Sequence, residues 1–187
     1  MKRKKIVCLG DSLTYGFPYG PQASWVTHAA KNDNFDLGNA GINGDIMEGM
    51  AARFDRDVLG KKPQAVIILG GTNDAFCGDI TIPMTVLSLR KMLGYAADHH
   101  IVPVIGLPIP IDDTWADPKL ERLCQEYCQI SAACGALLLD FRRAFIDPET
   151  GKMNDKLYVD GVHPNLPGYR VMGEVATCFL MAAFDCG

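Results

Sequence analysis

Short runs of apolar, often β-branched residues alternate along the chain with longer stretches in which apolar positions recur every three or four residues. The runs at 5–9, 36–39, 65–69, 102–107 and 136–140 are mostly continuous in apolar character, as strands covered on both faces must be. Helical spacing marks the stretches at 23–31, 45–59, 84–99 and 118–134, and a last one at 166–184. Strands taking turns with helices predict a βαβ series, hence an α/β fold. The expected architecture is a three-layer α/β/α sandwich around a flavodoxin-like central parallel sheet of about five strands. In such sheets ligands bind beyond the carboxyl ends of the strands, where loops from several strands converge. The Pro-rich stretch Leu107-Pro108-Ile109-Pro110-Ile111-Asp112-Asp113-Thr114-Trp115 is expected to be a loop bordering that crevice.

At 187 residues the chain fits a single domain, 1–187, large enough to bury a core without disulfides or a structural metal. A formal charge of −4 argues against a nucleic-acid partner. The one basic run, Lys2-Arg3-Lys4-Lys5, reads as a solvated tail, and the apolar stretch behind it stops at Gly10-Asp11-Ser12, too short for the core of a secretion signal. No apolar run approaches the ~18 residues of a membrane helix, so no membrane partner is expected. Seven cysteines are an odd number, with Cys8 in a strand and Cys124, Cys128 and Cys178 in helical stretches. That is no disulfide framework and fits a reducing, cytoplasmic setting. Cys124 and Cys128 share a helix face, yet no CxxC or paired histidine completes a zinc site, and both read as core packing.

Two distant stretches carry candidate chemistry. Ser12 follows the first predicted strand in Gly10-Asp11-Ser12-Leu13-Thr14, and Asp160-Gly161-Val162-His163-Pro164 precedes the last helix. A serine hydroxyl is a weak nucleophile at neutral pH and needs a base to take its proton and a third group to hold that base; Ser12, His163 and Asp160 supply the three types. Taken alone, Ser12 reads as a turn or helix-cap residue, and His163, before Pro164, as a surface or capping histidine at a helix start; the company of the other blocks reverses that reading. The three-residue spacing of Asp160 and His163 is enough for one turn to return the carboxylate to Nδ1, leaving Nε2 for the serine. Asp140, at a strand end, is a rival for the acid, whereas His28, His99 and His100 fall in helical stretches without such a partner. Asp11 and Asp74 read as residues that hold loops by hydrogen bonding. Phe17, Tyr19, Phe76 and Trp115 are the aromatics expected near the rim.

The serine segment lacks the second glycine of a G-x-S-x-G elbow. The turns Asn39-Ala40-Gly41-Ile42-Asn43-Gly44 and Gly70-Gly71-Thr72-Asn73-Asp74 also lack the spacing of a dinucleotide loop and a Walker lysine. Instead, Gly-Asp-Ser-Leu, a glycine in a second block, Gly-x-Asn-Asp in a third and Asp-x-x-His-Pro near the end, in that order, resemble the SGNH, or GDSL, hydrolases over almost the whole chain. The resemblance implies Ser12 as nucleophile, His163 as base and then acid, and Asp160 as its orienting carboxylate. It also implies an oxyanion hole made by the Ser12 amide, the Gly44 amide and the Asn73 side chain. No metal or organic cofactor is implied, and the partner is a small-molecule ester. The expected activity is hydrolysis of small carboxylic esters; acyl transfer, sugar deacetylation or thioester hydrolysis by the same groups are alternatives, as is a non-catalytic binding module. Oligomeric state is left open.

Overall fold

A computed structural model describes residues 3–184. Five parallel strands, β1 (Lys4–Gly10), β2 (Phe35–Gly41), β3 (Ala65–Leu69), β4 (Val102–Leu107) and β5 (Leu137–Asp140), form one sheet in the order β2-β1-β3-β4-β5. Among the described residues eight α-helices accompany them: α1 (Ser12–Tyr15), α2 (Trp25–Ala29), α3 (Met47–Ala52), α4 (Phe54–Asp57), α5 (Thr72–Phe76), α6 (Ile82–Asp98), α7 (Ala116–Cys134) and α8 (Leu166–Phe184). The alternation of side chains along each strand divides the core in two. Val7, Leu9, Val66 and Ile68 face a cluster shared with α3, α4, α6 and α7. Ile6, Cys8, Ile67 and Leu69 face another, shared with α1, α2 and α8. This is the three-layer α/β/α sandwich that the pattern predicts. No helix among the described residues is long and apolar enough to cross a membrane.

The order of the sheet fixes where a ligand site forms. From β1 the chain moves outward to β2, then crosses back to place β3 on the other side of β1. The loops leaving the ends of β1 and β3 therefore diverge, and the gap between them is the switch point at which open α/β sheets hold ligands. Gly10↔Leu69 is the last pair of the β1–β3 register, so the two loops start level with each other.

Several expectations need correction. The predicted helix at 45–59 is broken: α3 ends at Ala52, α4 begins at Phe54 after the non-helical Arg53, and a 3-10 turn at Leu59–Lys61 follows. The stretch at 23–31 is helical only over Trp25–Ala29, behind a 3-10 turn at Pro21–Ala23. Within the supposed solvated tail, Lys4 and Lys5 already belong to β1, where edge pairing with β2 continues, and Arg3 pairs with Asp33 at 2.8 Å; Lys2 lies outside the described residues. Cys124 is buried, and burial pushes its thiol up to about 12, whereas Cys128 is exposed and takes no part in the core. The helix turns it past the apolar stripe. The two edge strands are also less covered than continuous apolar runs suggest, since β2 and β5 each keep positions open to solvent.

Candidate active site

Ser12 opens α1 directly at the end of β1. Asp11 caps that helix, its Oδ1 accepting the Leu13 amide at 2.9 Å. The turn from strand to helix is tight because Gly10 has no side chain: a Cβ there would lie 2.2 Å from Thr14 Oγ1 and 2.7 Å from the Leu69 carbonyl. Across the sheet end, Ser12 Oγ lies 3.1 Å from His163 Nε2. His163 Nδ1 is 2.8 Å from Asp160 Oδ2. That second bond requires the proton on Nδ1, which leaves the Nε2 lone pair facing the hydroxyl.

The loop carrying Asp160 and His163 is built to hold this arrangement. Asp160 Oδ1 accepts the amides of Val162 at 3.0 Å and His163 at 2.7 Å, which curls the chain so that Oδ2 meets the imidazole. Burial alone would raise the Asp160 carboxyl, but the two bonds from His163 and the one from Val162 outweigh it and hold the group below its usual range. Gly161 sits at φ +80°, which completes the curl. Its carbonyl accepts the Asp112 amide at 2.8 Å, and Tyr158 Oη donates to the Pro110 carbonyl at 2.7 Å, so the Pro-rich segment after β4 does border the site. Asn165 ties the loop to α8, donating to the carbonyls of Lys156 and Tyr158 while accepting the Gly168 amide. From α8, Tyr169 Oη donates to the Phe17 carbonyl at 2.7 Å, and the Phe17 ring lies 4.6 Å from that of His163.

Asn73 and Gly44 come together through Asp45. Asn73, on α5 after β3, donates its side-chain amide to the Asp45 carbonyl at 2.8 Å, which leaves one amide hydrogen for another acceptor. Asp45 closes the turn that contains Gly44 by donating its amide to Ile42. Gly44 has φ +76° and nothing within 4 Å of where a Cβ would stand, so its backbone is reachable. Asp74 holds a neighbouring joint: it accepts the Met47 amide at 3.1 Å and the Thr85 hydroxyl at 3.0 Å, and burial raises its carboxyl. Lys119 closes the far side of α5 by donating to the carbonyls of Asp74, Cys77 and Ile80.

The other candidates lie apart from this arrangement. Asp140 accepts the Arg143 amide at the end of β5, and Asp160 is the carboxylate on the imidazole. His99 bonds within its own helix, to the Tyr95 carbonyl. Phe17, Tyr19, Phe76 and Trp115 are all exposed, and of them Phe17 touches the imidazole. Sequence reasoning missed Arg53, which donates to Asp45, to Asp57 and to the carbonyls of Gly10 and Ala40. Its only signal was a charge set between Ala51-Ala52 and Phe54, in a stretch otherwise readable as an amphipathic helix. Among the described residues no three His, Cys, Asp or Glu side chains gather as a metal site.

Residues 8–171 match the model of the GDSL-like Lipase/Acylhydrolase family. Esterase TesA of Pseudomonas aeruginosa is 24% identical over 166 residues, covering 86% of this chain and 80% of that protein. The uncharacterized lipoprotein YqeF of Bacillus subtilis is 39% identical over 118 residues, 57% of this chain and 49% of its own, so this chain spans about half the length of that relative. The solved structure of a protein assigned to the G-D-S-L lipolytic family from Desulfitobacterium hafniense DCB-2 superposes with a TM-score of 0.87 at 27% identity, over 95% of this chain and 100% of that one.

Proposed function

The chain belongs to the GDSL-like lipase/acylhydrolase family, and from that premise we propose that it is a serine esterase cleaving small carboxylic esters through an acyl-Ser12 intermediate. The observation that carries the reading is the unbroken run from Ser12 Oγ to His163 Nε2 and from His163 Nδ1 to Asp160 Oδ2. His163 takes the hydroxyl proton as Ser12 attacks the ester carbonyl, and Asp160 stabilises the imidazolium that forms. The negative oxygen of the tetrahedral intermediate is met by the amides of Ser12 and Gly44 and by the free amide hydrogen of Asn73. Collapse expels the alcohol, which leaves with the proton from His163. Water then attacks the acyl carbon with His163 again as base, and the acid departs as Ser12 is restored.

The preference for small esters rests on the connections between elements. Among the described residues no inserted unit covers the strand ends to form a long acyl tunnel. Solvent has access to the base side of the site, where the Asp160 side chain is 46% exposed. The cytoplasmic reading rests on cysteines alone: the six described ones are free. Fractionation that recovers the protein outside the cytoplasm would overturn it, and the word lipoprotein in the name of the Bacillus relative makes that measurement worth doing.

Short p-nitrophenyl esters test the activity. The native chain is expected to hydrolyse them and to be labelled by a fluorophosphonate, and Ser12→Ala to do neither. Retained turnover in Ser12→Ala would refute the assignment. An ester panel from acetyl to long acyl groups, including acetylated sugars and thioesters, then ranks the substrates, and a preference for long chains would refute the small-ester reading.

A further inference from the structure

We infer that Arg53 is a positioning residue that sets the geometry of all three oxyanion donors at once, an inference that rests on the esterase reading above. Its side chain is 9% exposed and spends its donors on four groups, three of which, Gly10, Ala40 and Asp45, belong to different parts of the site. Nη2 donates to the Gly10 carbonyl at 2.9 Å, at the strand end two residues before Ser12. Nη1 donates to the Ala40 carbonyl at 2.9 Å, at the end of β2 where the Gly44 turn departs, and to Asp57 at 2.8 Å. Nε donates to Asp45 Oδ2 at 2.7 Å.

Asp45 is where the last of these contacts matters. Its amide closes the Gly44 turn onto Ile42, and its carbonyl accepts the Asn73 side chain at 2.8 Å. Fixing the Asp45 side chain therefore fixes the residue on which two of the donors depend. The Gly10 carbonyl also accepts the Ile42 amide at 3.0 Å, so the same strand end joins the serine segment to the start of that turn. A planar fork with five donors can span these acceptors together, which a single ammonium cannot. The break between α3 and α4 falls at Arg53 itself, where the chain leaves regular helix.

A second feature identifies the Asp45 carboxylate as a fitted part. Gly49 lies on α3 beneath it, and a Cβ at that position would stand 2.1 Å from Asp45 Oδ1. Gly49→Ala therefore displaces Asp45 without touching Arg53. The same change gains up to about 1 kcal/mol of intrinsic helix propensity against the cost of the displaced carboxylate, and the melting temperature separates lost stability from lost activity.

The test compares Arg53→Lys and Gly49→Ala with the native chain on a short p-nitrophenyl ester, each alone and combined with Asn73→Ala, with melting temperature read in parallel. Arg53→Lys keeps a charge beside Asp45 and Asp57, so it is expected to stay folded. Both variants are expected to lose about tenfold or more in kcat, against the ~10²–10³ of a deleted donor, with KM within about twofold. In the Asn73→Ala background their further loss is expected to shrink to about threefold or less, because donors already misplaced have less to lose. Native kcat in both folded variants, or losses that multiply in full with Asn73→Ala, would overturn the inference. Should Arg53→Lys fail to fold, Gly49→Ala decides by the same criteria. A native chain without esterase activity would instead strike the function proposed above.

Discussion

Asp11 stands beside Ser12 with one carboxylate oxygen bonded to the Leu13 amide and the other, Oδ2, buried without a partner. Burial is the largest cause of its lifted carboxyl, at about 7; the Leu13 bond opposes the lift, and the charges of Asp74 and Asp45 add to it. In the unfolded chain the group ionises near its ordinary value. Between about pH 4 and 7 the folded chain therefore holds a proton that the unfolded chain has released. Asp11 contributes stability that is complete below pH ~4 and is lost as pH rises through about 7. Asp11→Asn keeps an acceptor for Leu13 and removes the titration, so it should flatten the fall in unfolding free energy across that window by a few kcal/mol. Urea unfolding at about pH 4.5, 6 and 8 checks this, and an unchanged slope would show that Asp11 is not the titrating group.

The short helix α1 is held by an approach that only glycine permits. At Gly41, the last residue of β2, a Cβ would lie 2.2 Å from the Tyr15 amide and 2.7 Å from the Thr14 carbonyl carbon, both backbone atoms that cannot swing aside. Asn39 reinforces the contact by donating to the Thr14 carbonyl at 2.8 Å. Gly41→Ala should therefore push α1 off the sheet, costing about 1–3 kcal/mol and lowering kcat because Ser12 rides on the same turn. Melting temperature and ester kinetics read together test this; a variant with native values for both would mean that the helix has room to move. Helices of four or five residues, such as α1 and α5, show too little of the 3.6-residue period to be recognised in sequence. The patterned strands β3 and β4, by contrast, begin and end where their apolar runs do.

At the scale of the whole molecule, the loops of the site are held in place by two core layers, and Trp25 shows how one of them is filled. It is fully buried, its ring 5.1 Å from that of Phe141 just beyond β5, and its helix packs on α8. Its indole nitrogen is buried with no hydrogen-bond partner. Trp25→Ala should lose ~3–5 kcal/mol, whereas Trp25→Phe should lose clearly less, because it fills most of the volume and removes an unmet donor. Denaturant unfolding orders the two, and equal losses would overturn the claim that the volume Phe keeps carries the difference.

The apolar periodicity determined the alternation of strands and helices, since a strand covered on both faces and a helix covered on one leave different repeats. The three-residue spacing of Asp160 and His163 marked them as a candidate pair as well, with Asp140 left as a rival for the acid. Folding in three dimensions decided the rest. Ser12 and His163 stand 151 positions apart, and their meeting depends on the order β2-β1-β3-β4-β5, which no local pattern encodes. The role of Arg53 was equally hidden, for a charged residue on an amphipathic stretch looks solvated until the strand ends it bonds are brought beside it. Local repeats report which face of an element is dry, while the partners of a buried polar group come from distant segments and exist only once the layers have packed.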